Sequence, residues 1–382
     1  MPRATGTYMT ATTGGEVVKA FVPNPLPPAE PALDPECYAG NEAAEKALGK
    51  LAAMSGLVAS SEWLIYSAIR KEALLTSQME GTQATLTDLL DEESGMDVAS
   101  TTDVSDVTNY LKAFEFTRGQ INAQRGGLPI STRLLCAAHS ILLNSVRGEQ
   151  NLPGEIRRSQ NWIGGTRPGN AVYVPPPHTE VGRLLGDMEN YIHQQAPALP
   201  PLVRIALIHA QFETIHPFLD GNGRIGRLLI AALLEDWKLL PEPLLYVSGQ
   251  LKLHQGEYYR LLSAIRTDGD WESWVRFFLD CATEAAENAQ RSIIDIASLI
   301  AADRKKVMAA KNGTVQAIRL FEMLATMPRF TTKFAAKNLR VTFPTASTAI
   351  KVLQSVDVLT GSTEQKRNQQ FNYKRYIELL QR

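Results

Sequence analysis

The stretch His216–Arg227, HPFLDGNGRIGR, limits what this chain can become more than any other part of it. An apolar run with helical spacing, 202–215, ends just before it, and a second helical run, 225–239, begins inside it. Between them stands Gly221-Asn222-Gly223, where the backbone can turn tightly and come close to a ligand. The first N–H groups of the second helix have no partners within it, and the helix dipole adds positive potential there. Arg224 and Arg227, three apart, can project from one face of that first turn. Backbone donors and two forked guanidiniums suit an anion with several phosphates. Asp220 can hold a divalent cation that bridges phosphate oxygens. His216 is the one group here able to act as a base near neutral pH.

These parts describe a site for phosphoryl or nucleotidyl transfer. No GxxxxGK[ST] loop and no kinase motif set occurs in the chain, so a nucleotide would be held by another kind of cradle. Glu213 and His216 form a single ExxH, with no second copy and no HExxH or CxxC, so a transition-metal centre is not expected. Taken singly, His216 could cap carbonyls, Asp220 could cap a turn and the arginines could be solvated. Those bland readings would have to hold together over twelve residues.

HPFLDGNGRIGR is similar at every defined position to HxFx[DE]GNGRxxR, the signature of the Fic family, and His209, Phe212 and Ile215 upstream agree with it. The resemblance reaches from about residue 70 to residue 300. It implies a mainly α fold, with a Fic-type helical core and a small β-hairpin flap. It also implies transfer of AMP from ATP to a Ser, Thr or Tyr hydroxyl of a target protein, and of the enzyme itself, with release of pyrophosphate. His216 would deprotonate the hydroxyl and Asp220 would hold Mg2+. Gly221, Asn222, Gly223 and Arg224 would form the anion hole, and Arg227 would meet the γ-phosphate. Residues 162–177, WIGGTRPGNAVYVPPP, read as two apolar pieces around a Gly/Pro turn, hence a short hairpin. They resemble the family's flap, in which Ala171, Val172, Tyr173 and Val174 would align the target by strand addition. Tyr258 and Tyr259 fall where the family places residues near the adenine. His254 stands near where the family commonly has Asn.

A second pattern lies upstream. Thr76-x-x-x-Glu80-Gly81 is similar to the family's inhibitory helix, [ST]xxxE[GN], in the subclass that carries it before the core. Thr76 and Glu80 are one helical turn apart, and Gly81 can end the helix so that the carboxylate reaches a neighbouring site. Glu80 is expected to form a bidentate pair with Arg227 in the place of the γ-phosphate. Two other readings keep the same residues. Glu80 could align water to remove AMP from a modified protein, or the chain could be a DNA-binding regulator whose core senses nucleotide. Inhibitory helices of this kind can be coupled to dimer contacts, so a homodimer is a candidate assembly.

Elsewhere the pattern is helical over 43–90, 104–114, 132–143, with Ser131 as N-cap, 181–192 and 271–300. Six prolines in 22–35 suggest an extended arm or spacer. The last part is read as a winged helix-turn-helix, with helices over 314–327, 331–338 and 345–356 and a wing over 359–373. Its third helix offers Thr345, Ser347, Thr348 and Lys351, and its wing offers Lys366 and Arg367, to DNA or to a protein partner. Residues 301–382 hold 15 Lys and Arg against 5 Asp and Glu, a charge of +10 on a body of −11. A basic module on an acidic body suggests an anionic partner. The expected division is an N-terminal arm and helical region at 1–95, a catalytic core at 96–300 and a winged helix at 301–382.

The composition, 44% hydrophobic and 21% charged, excludes a disordered chain, a collagen repeat and a disulfide scaffold. The longest apolar run, Leu228–Leu234, is too short to span a membrane, and the first residues show no signal pattern. Three scattered cysteines read as free thiols. A cytoplasmic location is expected.

Overall fold

A computed structural model of the chain describes residues 3–28, 33–55, 61–96, 101–121, 127–144, 151–195, 197–361 and 369–382. It opens with an antiparallel hairpin, β1 (Gly6–Thr13) and β2 (Glu16–Pro23). Helices follow as α1 (Pro35–Ser55), α2 (Ser61–Met79), α3 (Leu86–Glu93), α4 (Thr101–Ile121) and α5 (Thr132–Leu142). The middle of the chain forms α6 (His178–Ile192), α7 (Pro201–Ile215), α8 (Asn222–Asp236), α9 (Ser248–Leu253), α10 (Gln255–Asp268) and the long α11 (Trp271–Ala309). The last part holds α12 (Val315–Met323), β3 (Arg329–Thr331), α13 (Thr332–Leu339), α14 (Phe343–Ser355), β4 (Thr360–Gly361), β5 (Gln370–Asn372) and α15 (Lys374–Gln381). Among the described residues no helix is long and apolar enough to cross a membrane.

The centre is α7, buried on nearly its whole circumference, as its all-round apolar sequence requires. Pro201 opens it, where a missing N–H costs nothing. α8 packs on it, and Trp274 of α11 donates its indole N–H to Ala206 O at 2.9 Å. The Ser131 cap of α5 is present, accepting from Leu134 N–H.

Two local expectations change. The N-terminal hairpin was not foreseen, although Gly14-Gly15 between a Thr-rich and a Val-rich segment is its turn signal; both glycines have positive φ. The hairpin expected at 162–177 is a loop closed by one bridge, Ile163 with Tyr173, around a 3-10 turn at Pro168–Asn170. Gly164 and Gly165 at positive φ and the three prolines at 175–177 leave no ladder to extend. The Val174 carbonyl is taken by the Phe21 N–H of β2 at 3.0 Å. Ala171 and Val174 pack with Val18 and Ala20 in a small satellite core.

The C-terminal elements are not set apart from the rest. α11 runs through residue 300 without a break, and one apolar core continues into α12, α14 and α15. Trp63 of α2 is fully buried among Phe321, Tyr373 and Tyr376, with ring centroids 5.9, 6.2 and 4.9 Å away. Tyr376 donates its hydroxyl to Trp63 O at 3.0 Å, and Arg329 of β3 pairs with Asp91 of α3. Trp63→Ala is therefore expected to destabilise the whole chain by about 3–5 kcal/mol. Chemical unfolding measures it, and a loss below about 1 kcal/mol would show that the cluster is not part of a shared core.

Candidate active site

His216 is the C-cap of α7. Its φ of +50° and ψ of +62° lie in the left-handed region, and its N–H donates to Phe212 O at 2.9 Å. Arg157, which the sequence reasoning did not single out, holds this turn. It is fully buried, donates from Nε to His216 O at 2.9 Å and from Nη2 to Pro176 O at 2.5 Å, and its own N–H donates to Pro217 O. No carboxylate pairs with it among the described residues, and burial pulls its pKa down to about 10. A cation spent on helix-end carbonyls fixes where the histidine stands.

The loop after His216 is closed by Asn222. Its Oδ1 accepts from Phe218 N–H and its Nδ2 donates to Phe218 O, both at 2.9 Å. So the Asn222 side chain, 2% exposed, builds the loop from within and is not turned toward a ligand. Gly221 has φ +76°, which a side chain rarely adopts, and precedes the first turn of α8. His139 fixes the loop from the other side. Its Nδ1 accepts from Gly154 N–H at 2.9 Å, so its Nε2 carries the proton and donates to Asp220 O at 2.9 Å. The ring stacks on Phe218 at 3.8 Å. The Asp220 carboxylate, about half exposed, takes the Gly221 N–H on Oδ1 at 2.7 Å and leaves Oδ2 near Asn151 (3.4 Å) and Arg224 (3.8 Å).

Arg224 and Arg227 are both buried, at 6% and 1% exposure. They do not share an environment. Arg224 has its Nε without a hydrogen-bond partner among the described residues. Arg227 is fully engaged by α2: Nε donates to Thr76 Oγ1 at 2.6 Å, and Nη2 donates to Thr76 O at 3.1 Å and to Glu80 Oε1 at 2.5 Å. The expected bidentate pair is thus replaced by one carboxylate contact, because Thr76 takes the Nε edge of the guanidinium. Glu80 stands just past the end of α2, and Gly81 follows at φ +94°, where the helix stops. Burial would raise the Glu80 pKa, but the Arg227 guanidinium outweighs it and holds the carboxyl below its usual range. The same oxygen sits against the Gly221–Gly223 loop: a Cβ added at Gly223 would lie 2.2 Å from Glu80 Oε1.

α2 is anchored from below as well. Glu72, buried, accepts from the Ser248 hydroxyl and from Ser248 N–H at the start of α9. Lys252 Nζ donates to Gln78 Oε1 at 2.5 Å.

Burial displaces the pKa values of His216, Glu213 and His209. Burial lowers the His216 pKa to about 4, with Arg157 adding to the fall, so the ring is neutral at pH 7. Its Nδ1 is buried with no hydrogen-bond partner among the described residues, although the residue as a whole is partly exposed. Burial raises Glu213 to about 7. His209 is lowered to about 3 by burial, and its ring nitrogens meet Gly226 O and the Tyr258 hydroxyl at 3.2 and 3.0 Å. Tyr258 is therefore a buried partner of His209, and Tyr259, 49% exposed, is the member of that pair open to a ligand. Of the predicted flap, Val172 is exposed, while Tyr173 is buried and donates its hydroxyl to Thr214 O at 2.6 Å. Gly223, Arg224, Arg227 and His216 meet around the Glu80 carboxylate, which with Thr76 reaches Arg227 from 147 to 151 positions upstream.

Two family models match in sequence order. Residues 38–118 match the Fic/DOC family N-terminal region and residues 129–234 match the Fic/DOC family itself. The chain carries a Fic/DOC N-terminal region and a Fic/DOC domain. The Fic match contains the whole cradle, and the N-terminal match contains Thr76, Glu80 and Gly81. Among curated relatives, proteins named protein adenylyltransferase Fic from Drosophila grimshawi and Aedes aegypti are 33% and 35% identical over 135 and 129 residues. Those segments are 35% and 34% of this chain, and it spans about a quarter of the length of these relatives. A Fic family protein from Desulfovibrio desulfuricans G20 shares the fold at a TM-score of 0.58 and 20% identity, over 90% of this chain and 98% of that one. The Fic-1 fragment from C. elegans superposes at 0.53 and 18% identity, over 67% and 72%. In this Fic core, Arg157 and His139 are the supports that no local sequence signal announced. Their partners lie 59 and 81 positions away.

Proposed function

We propose that the chain is a protein adenylyltransferase that moves AMP from ATP to a Ser, Thr or Tyr hydroxyl of a target protein and of itself, releasing pyrophosphate. One observation carries the reading: the neutral imidazole of the partly exposed residue His216 and two buried arginines converge on the place that Glu80 occupies, at the start of α8. His216 would accept the hydroxyl proton as oxygen attacks the α-phosphorus. The N–H groups of the first turn of α8 and Arg224 would take up charge on the phosphates. Arg227 would meet the γ-phosphate once Glu80 leaves it. Asp220 fits a nucleotide-borne Mg2+, since an exposed carboxylate oxygen at the loop suits an ion that draws its other ligands from phosphate and water. Bound there, the ion would neutralise phosphate charge. Glu80 on Arg227 would act as a brake, because it occupies the guanidinium edge that a third phosphate needs. The related proteins named adenylyltransferases support the activity.

The basic C-terminal elements follow the order of a winged helix: α12, β3, α13, α14, β4 and β5, with the strands in one antiparallel sheet ordered β3-β5-β4. Thr342 caps α14, its hydroxyl accepting from Thr345 N–H, and Lys351 is exposed. Lys366 and Arg367 of the expected wing tip lie outside the described residues. We assign this module to an anionic partner, protein or nucleic acid; a salt-sensitive gel shift with random duplex would favour DNA.

The test is intact-mass spectrometry of the chain incubated with ATP and Mg2+. An added adenylate, lost when ATP is replaced by buffer, is the expected result; no adduct on the chain or on proteins of a lysate, from the wild type or a Glu80 variant, overturns the proposal. The acid limb of the rate profile gives a second check. Because His216 titrates near 4 and not 6.5, kcat/KM should hold as pH falls through 6 and decline only toward 4. A limb centred at 6.5 would mean an exposed, ordinary imidazole.

A further inference from the structure

A cavity of about 660 Å3 lies against α2 on a different face from the one that meets Arg227. That volume is in the range of small-molecule sites. Lys71, Leu74, Leu75 and Gln78 form its α2 wall, at the spacing of one helical stripe, whereas Thr76 lies on the neighbouring stripe. Tyr246, Gln250 of α9 and Arg291 of α11 face them. The cradle and the cavity therefore share a wall, which is the brake helix itself.

The chemistry of the lining is specific. Lys71 forms no salt bridge among the described residues, and its ammonium sits 4.8 Å from the Tyr246 ring centroid. Arg291 is held by Asn288 Oδ1 and also lacks a carboxylate partner among the described residues. Gln250 is 9% exposed, yet its Oε1 is a buried acceptor with no donor among the described residues. With under 1 Å2 of accessible surface, that oxygen does not open onto the cavity and takes no part in holding an occupant. Leu75 and the rim residue Leu253 add apolar surface. Asp295 also lines the space, which disfavours a polyphosphate and leaves room for a single negative charge.

We propose that this cavity binds a small amphipathic monoanion. Its charge would rest on Lys71 and Arg291, and its apolar body would lie on Leu75 and Leu253. Occupancy stabilises the position of α2 in which Glu80 holds Arg227, because a ligand shaped to this wall binds that state better than one with α2 displaced. The ligand is thus a co-inhibitor. This regulatory half rests on the adenylyltransferase reading; the binding half does not.

8-Anilinonaphthalene-1-sulfonate is a suitable probe: one sulfonate and two ring systems. Fluorescence titration of the full chain should give saturable, one-to-one binding. Lys71→Gln with Arg291→Gln should weaken it by about tenfold or more. Leu253→Trp, at a rim position 70% exposed, should block it without touching the core. Absence of stoichiometric binding, or equal binding by both variants, overturns the site. In the second arm the probe should lower self-adenylylation of the wild type several-fold and leave Glu80→Gly unaffected. Binding without that loss keeps the site and overturns its regulatory role. If no variant transfers AMP at all, the adenylyltransferase reading and the regulatory role fall together, while the titration still decides the site.

Discussion

Glu80→Gly should raise AMP incorporation on the order of 100-fold above wild type, read as label from α-32P-ATP or as adduct by intact mass. In the structure the Nη2 of Arg227 is divided between Thr76 O and Glu80 Oε1, and Nε is held by Thr76 Oγ1. The variant removes only the carboxylate. Thr76 keeps the guanidinium in place, so the γ-phosphate finds a positioned cation with a free edge. The displacement also clears the space over Gly223, where Glu80 Oε1 now sits. A second signature separates release of a brake from general loosening. Without nucleotide, Arg227 would be a buried cation lacking its carboxylate, and the variant should melt lower than wild type. With ATP and Mg2+ it should gain more stability than wild type does, since phosphate replaces the lost charge. Unchanged labelling would dispose of the inhibitory role.

His216→Ala should cut transfer by about 100-fold to 10,000-fold while nucleotide affinity, measured by calorimetry, stays within a few-fold. The split follows from the proposed reaction, in which the imidazole would serve the hydroxyl and the loop and arginines would hold the nucleotide. His216 also has a backbone duty, because its φ of +50° is a conformation that Asn tolerates better than most residues. His216→Asn is therefore the cleaner variant. It keeps the turn over Arg157 and removes the base. Residual transfer at wild-type rate would point to another proton acceptor, and Glu213, with its pKa raised to about 7, would be the first to change.

The cradle was legible because its parts are local. Gly221, Gly223, Arg224 and Arg227 act within two turns of one helix start, and the sequence spells them in order. Helix existence was legible for the same reason: α7 and α8 declare themselves by apolar content. What was hidden depends on distance. Nothing near Arg157 says that its guanidinium will cap a helix ending at Ile215, and nothing near His139 says that it will clamp Asp220. The Glu80–Arg227 contact spans 147 positions and was expected only through the resemblance of Thr76–Gly81 to a family pattern. Even then the partition was missed, since Thr76 competes for the same guanidinium. The N-terminal hairpin escaped because β1, GTYMTATT, is mostly exposed and carries little apolar alternation. The loop at 162–177 was over-read, because β-prone letters at 171–174 spend their backbone groups on β2 and on one bridge.

The burial of Trp63 under the terminal aromatic cluster has a practical consequence. A worker trimming this protein at residue 300 to obtain a minimal enzyme would sever α11 in mid-course and strip the far end of α2 of its cover. Such a fragment would report faster labelling or outright aggregation for the same mechanical reason, a rod with one bearing removed. Point substitutions at the two ends of that rod, in the intact polypeptide, are the cleaner instruments.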